Sequence, residues 1–418
     1  MQAKRRAALV GTGHRGFNMW GKGLVAGYGP WVELVGLCDQ NRLRAERVRD
    51  AIGIEAKVYT DFAALLRETR PDLVIVCTRD SNHDEYIVAA LAAGADVITE
   101  KPMTTTVEKC RRILDAEVRS GRRVDVSFNY RYSPTATRIK EILRSGAIGD
   151  IKSVDFHWYL DTRHGADYFR RWHAKMGHSG SLFVHKSAHH FDLLNWYLEA
   201  DPADIAAFGS LRNYGRNGSY RGERCRTCPH TGKCPYYFDM RKDPLLEMLY
   251  EDPSREDGYV RDACVFREDI DIYDTTSAAI RYESGAQVSY SVNCYMPIEG
   301  YHLAFNGSAG RLEIRQYEDQ PWATPPADEI LVMRNFADVE HVWVKQGEGG
   351  HFGGDDRLRD MLFKPGGNDP LGQDPLGQRA GARAGAVSVL LGLAAVESVR
   401  CGQLVSLTDL WGGALPKA

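Results

Sequence analysis

The sequence predicts an α/β fold in two parts: a parallel, doubly wound sheet, then an open, mostly antiparallel one. Three observations carry this. Short buried-type apolar runs alternate with amphipathic stretches through the first 125 residues. A glycine-rich turn follows the first such run. Beyond residue 270 the pattern changes to polar/apolar alternation. In the first part, residues 6–10 read as a strand, 16–26 as a helix and 33–38 as a strand. Residues 42–51 and 61–68 follow as helices, 73–78 as a strand and 84–93 as a helix. Residues 96–99, 107–120 and 123–128 complete the alternation as strand, helix and strand.

Near Asn129 the character shifts, and aromatic and charged residues become dense up to His173. Residues 275–281, 287–292, 301–304 and 311–315 alternate as strands, and 379–400 has the Ala/Leu/Val content of a final helix. The expected domains are therefore 1–126 and 127–418, the second with a Cys-rich loop at about 221–266. Residues 239–274 carry twelve acids against five bases, which predicts a solvated surface excursion. The pentad Asp-Pro-Leu-Gly-Gln occurs twice in tandem, at 369–373 and 374–378, and reads as a duplicated loop.

A chain of 418 residues with net charge −3 has no basic excess to point to nucleic acid or anionic lipid. The longest apolar run, 386–396, falls short of the ~20 residues that span a bilayer. No secretion signal is read at the N-terminus, so a cytoplasmic protein is expected.

Gly11-Thr12-Gly13-His14-Arg15-Gly16 closes the first strand and opens the first helix. Glycines there allow a tight turn and let a pyrophosphate approach the helix N-terminus. Asp39 ends the second strand, where a carboxylate binds a ribose 2′-hydroxyl and repels a 2′-phosphate. NAD is therefore expected over NADP, although Arg42 and Arg44 lie close by in sequence. Glu100-Lys101-Pro102 ends a later strand, preceded by Thr78-Arg79-Asp80-Ser81-Asn82-His83. With these motifs the chain resembles the Gfo/Idh/MocA family, of the glucose–fructose oxidoreductase and inositol dehydrogenase type. The resemblance spans nearly the whole chain. It implies an N-terminal Rossmann domain, a C-terminal α/β domain and a homo-oligomer. It also implies that Lys101 sits beside the nicotinamide and the reacting hydroxyl, with Thr78, Asn82, His83 and Glu100 around the cofactor. Arg79 stands where many members have proline. Lys101 makes chemical sense independently, because an amine at a carbinol oxygen exchanges its proton while hydride leaves the carbon.

Many members carry an aspartate and, four residues later, a histidine on a helix facing the nicotinamide. Here His185 replaces the aspartate and His189 matches the histidine. Positions i and i+4 share a helix face, so both imidazoles are acid/base candidates. Lys186 or Asp192 is expected to support them, and both are candidate substrate residues. Tyr130 and Arg131, and the donor-rich segment Asp161–His173 with Arg163, Tyr168 and His173, are candidate sugar contacts. The cations Arg131, Arg163, Arg170 and Lys186 suit an anionic sugar. The leading reading is an NAD-dependent oxidoreductase acting on a secondary hydroxyl of a sugar, glycoside or cyclitol. The alternative is a redox-neutral glycosidase that oxidises C3 transiently and cleaves by elimination and addition. Finally, Cys225, Cys228, Cys234 and Cys264 have spacing compatible with a structural zinc site, and similar Cys-x-x-Cys-Pro loops occur in one branch of the family.

Overall fold

The computed structural model describes residues 4–366 and 374–416. The first part is a six-stranded parallel sheet in the order β3-β2-β1-β4-β5-β6. Its strands are β1 (Arg5–Val10), β2 (Val32–Cys38), β3 (Lys57–Tyr59), β4 (Leu73–Val76), β5 (Asp96–Thr99) and β6 (Val124–Val126). Ala7 to Val10 and Leu73 to Val76 are wholly buried, as a sheet covered on both faces requires. The covering helices are α1 (Gly23–Gly27, after a wider-pitched segment Gly16–Lys22), α2 (Arg42–Ile52), α3 (Phe62–Thr69), α4 (His83–Ala92) and α5 (Val107–Ser120). Local chemistry sets their ends. The Asn41 side chain accepts from Arg44 N to start α2, and Gly53 closes it in the left-handed region. Thr106 and Gly121 do the same for α5.

The second part is a nine-stranded sheet in the order β14-β13-β12-β11-β7-β10-β9-β8-β15. Its strands are β7 (Ile151–Asp161), β8 (Pro202–Ser210), β9 (Thr275–Tyr282), β10 (Gln287–Met296), β11 (Glu299–Gly307), β12 (Gly310–Asp319), β13 (Ala327–Arg334), β14 (Val339–Lys345) and β15 (Val405–Ser406). Only β7 and β10 pair in parallel. One face packs on helices α6 (Pro134–Arg144), α7 (Thr162–Arg170), α8 (Leu182–His185), α9 (Ser187–Leu198) and, after α10 (Gly354–Phe363), the long α11 (Ala382–Cys401). By length and composition α11 could cross a membrane, longer than the apolar run alone suggested. Here it packs against β8 and α9, and 61% of its apolar window is buried within the protein.

The acidic segment 239–274 is not a solvated excursion. It folds back onto the parallel-sheet domain, burying Met240, Leu246, Leu249 and Tyr250. The reason is charge complementarity with α2. Arg44 donates to Leu249 O at 2.9 Å and to Asp257 at 2.7 Å, and Arg47 pairs with Asp252. The second pentad copy forms a local cap, in which Asp374 accepts from the N–H groups of Gln378 and Arg379. The first copy lies outside the described residues.

Candidate active site

The carboxyl ends of β1, β2, β4 and β5 open into one cavity of about 420 Å³ between the two sheets. Its parallel-sheet wall carries Gly11, Gly13, His14, Arg15, Asp39, Thr78, Arg79, Asn82, His83, Glu100 and Lys101. Gly11 has φ +87°, and a Cβ there would stand 2.5 Å from the Cys77 carbonyl oxygen. Gly16 lies behind the loop, where a Cβ would meet the Gly11 oxygen at 2.0 Å. These contacts force glycine and bring bare backbone to the cavity floor. Thr12 is buried, and its N–H and hydroxyl hold Asp39 Oδ2 at 2.8 and 2.9 Å. Asp39 Oδ1 accepts from Asn41 N and lies 3.3 Å from Arg44. Arg15 spans Glu100 and Asp355, and Trp20 also donates to Glu100. Burial pushes the Asp355 carboxyl up, but Arg15 beside it holds it well below the usual carboxylate range. Arg15 and Glu100 therefore clamp the loop while lining the cavity. His83 is tied to the carbonyls of Pro102 and Thr78.

Lys101 meets His185 and His189, 84 and more positions later in sequence, across this cavity. Lys101 Nζ lies 3.4 Å from His185 Nε2 and 3.2 Å from the His185 carbonyl. Burial draws the Lys101 pKa down to about 8, against the opposing pull of Asp80. Burial, then the Lys101 charge, holds His185 and His189 well below the ordinary imidazole value, so both are neutral at neutral pH. His189 Nδ1 and His173 Nδ1 have no hydrogen-bond partner among the described residues. The His189 ring stands edge-on to Tyr130, 4.6 Å between centroids. Tyr168 and His173 line the opposite wall and pack against His185.

Five of the seven candidate substrate residues, Tyr130, Arg131, Arg163, Lys186 and Asp192, do not line this cavity. Arg131 and Asp192 form a buried bidentate pair at 2.7 and 2.6 Å, satisfying each other. Lys186 is buried over the Trp158 ring and donates to the Tyr130 hydroxyl. Arg163 is exposed on α7. Arg170 is also committed elsewhere, donating to Cys225 Sγ and Tyr236 O. The cationic character of the cavity comes instead from Arg79, Arg171 and Arg261. Arg171 and Arg261 share the single carboxylate of Asp167 at 2.9 and 3.3 Å, and Arg261 Nε has no hydrogen-bond partner among the described residues. Burial and these two arginines pull His14 down to about 4.

Sequence reasoning also missed Asp80, Tyr250, Tyr259 and His351. Asp80 lay inside a motif already singled out. Tyr250 had no local signal: its hydroxyl reaches the Gly-rich loop across 236 positions, accepting from His14 N at 2.8 Å.

Cys225, Cys228, Cys234 and Cys264 do line one small cavity, of about 10 Å³. All four are free thiols, and among the described residues no group of three or more His, Cys, Asp or Glu is placed to hold a metal ion. The zinc expectation is therefore not supported. The Arg170 guanidinium, 3.2 Å from Cys225 Sγ, brings a fixed positive charge where a cation was expected.

The residues fit a dinucleotide: Gly11 and Gly13 leave room for backbone approach, and a carboxylate ends β2. Two family models match, one described as an NAD-binding Rossmann fold over residues 5–128 and one as a C-terminal alpha/beta domain over 140–329. The chain is 39% identical to the "Putative oxidoreductase YteT" of Bacillus subtilis over 97% of its own length and 99% of the relative's. It is 40% identical to inositol 2-dehydrogenase of Pseudomonas savastanoi pv. phaseolicola over 28% of this chain and 35% of that one. Among solved structures it is similar to the WlbA dehydrogenase of Bordetella pertussis in complex with NADH and UDP-GlcNAcA. There the TM-score is 0.65 at 20% identity, covering 97% of this chain and 98% of that one. With its glycine loop, Glu100-Lys101-Pro102 and two-domain architecture, the chain belongs to the Gfo/Idh/MocA oxidoreductase family.

Proposed function

We propose that the protein is an NAD-dependent oxidoreductase acting on a secondary hydroxyl of a sugar, glycoside or cyclitol. The observation that carries this is the lowered-pKa Lys101 facing neutral His185 and His189 in the cavity that begins at the glycine loop. When bound, the nicotinamide exchanges hydride with the carbinol carbon. Lys101 exchanges the hydroxyl proton and stabilises developing negative charge on that oxygen. His189 lines the same space. Tyr168 and Trp172 supply aromatic faces suited to sugar C–H groups. Arg171 and Arg261, two cations on one carboxylate, leave one positive charge to favour an anionic substituent.

NAD is favoured over NADP because Arg44 is already held between Asp39 and Asp257. It is not free to receive a 2′-phosphate, and Arg42 pairs with Glu46 at the surface. The expected homo-oligomer would use the outer face of the nine-stranded sheet, where Trp322 and Trp343 are exposed.

The relatives described above are oxidoreductases and give no support to the glycosidase alternative. The test is a panel of cyclitols, neutral sugars, uronates and aryl glycosides with substoichiometric NAD or NADP, following NADH and released aglycone together. NADH reaching the cofactor limit without aglycone is expected. Repeated aglycone release without net NADH would overturn the proposal.

A further inference from the structure

The resemblance implies a carboxylate at position 185, where this chain has a histidine, yet a carboxylate stands beside it. Asp80, in the turn after β4, places Oδ2 2.5 Å from His185 Nδ1. The two residues are 105 positions apart, and both are buried, at 3% and 7% exposure. The other ring nitrogen, Nε2, faces Lys101 Nζ. We propose that Asp80 is a positioning residue for a proton relay running from Lys101 to His185. Its carboxylate accepts from His185 Nδ1–H, which leaves the Nε2 lone pair turned toward the lysine.

The relay balances as follows. Neutral Lys101 takes the substrate hydroxyl proton as that O–H bond breaks and the carbon gives hydride to the bound nicotinamide. The resulting ammonium passes one proton to His185 Nε2, and the imidazolium formed rests against the Asp80 carboxylate. Lys101 is neutral again, and His185 releases the proton into the cavity that both residues line. In the reducing direction the same groups run backwards. Without Asp80 the imidazolium would face only cations, because Lys101, Arg171 and Lys186 all oppose a positive charge there. His83, His173 and the rings of Tyr168 and Trp172 also surround it. Around Asp80 itself, burial pushes the carboxyl well above its usual range and Glu100 adds to this, while Lys101 and Arg171 pull toward the carboxylate.

This deepens the proposed reading of Lys101 as the group that exchanges the hydroxyl proton, so its test has a part that needs no substrate. Long-range ¹H–¹⁵N spectra of ¹⁵N-histidine-labelled protein, with His185→Gln for assignment, report the tautomer directly. The expected wild-type result is a protonated Nδ1 and a bare Nε2 at pH 7. The opposite tautomer overturns the proposal whatever the substrate proves to be. The second part is Asp80→Asn, checked by its melt and its NADH binding. A kcat loss on the order of 10²-fold, with little change in KM, is expected from an impaired acid–base step. The acid limb of the pH profile should move down by about one unit, because Lys101 loses the carboxylate that raises its pKa. Asp80→Glu should recover part of the rate. An unmoved limb, or a loss confined to KM or stability, refutes the relay.

Discussion

The sharpest consequence of the site concerns the protonation of Lys101. At its ordinary pKa of 10.5 a lysine is almost wholly an ammonium at pH 7 and takes up no hydroxyl proton. The buried setting brings it to about 8. The neutral fraction at pH 7 then rises from ~0.03% to ~9%, a gain of about 300-fold in competent base. Oxidation of the best polyol from the substrate panel should therefore rise with pH and level off above an apparent pKa of about 8. The sign follows because the base must be unprotonated. Lys101→Arg keeps the positive charge and much of the length, but its guanidinium does not deprotonate. It should lose about 10²–10⁴-fold in kcat, the typical worth of a general base, and lose the pH limb with it. NADH binding, followed by fluorescence, checks that the cofactor site survives. A Lys101→Arg enzyme that keeps the limb near pH 8, or stays within tenfold of wild type, would refute the assignment.

Other expectations follow from the same geometry. Asp192→Ala strands the buried Arg131 guanidinium and should cost about 3–5 kcal/mol in urea unfolding. The double variant Arg131→Met/Asp192→Leu should cost much less, and a raised KM with unchanged stability would instead return Asp192 to the substrate. Gly11→Ala forces a Cβ against the Cys77 carbonyl at a left-handed φ. It should lower stability by about 1–3 kcal/mol and weaken NADH binding, as read by melting and titration. Dialysis against a chelator should leave the melting temperature unchanged. One zinc per chain by elemental analysis, with destabilisation on its removal, would overturn that.

The parallel-sheet domain was largely legible because its information is local. The strands are buried apolar runs, the caps are Asn41, Thr106 and glycines, and the dinucleotide turn is a short contiguous motif. The family resemblance also pointed to Lys101 and His189, and the fold brings both to the cavity. β3, β7, β8, β13, β14 and β15 were not legible. In β7 the inward Val154, Phe156, Trp158 and Leu160 do alternate, but polar and aromatic partners between them blurred the period. The fate of each charge was decided only in three dimensions. Arg131 and Arg15 look like ligand-binding residues in the sequence, yet in the fold each finds a carboxylate, 61 positions away for Arg131 and 340 for one partner of Arg15. The acidic segment at 239–274 read as solvated because its partners, the arginines of α2, lie about 200 positions earlier. Asp80 beside His185 belongs to the same class. Sequence by itself determined the fold type and the cofactor turn and singled out the lysine proposed to react, since turns, caps and strand periodicity are set by neighbours along the chain. Tertiary structure decided which ionisable groups remain free to act, because burial makes every unpaired charge costly and pairs it with whatever the fold brings near.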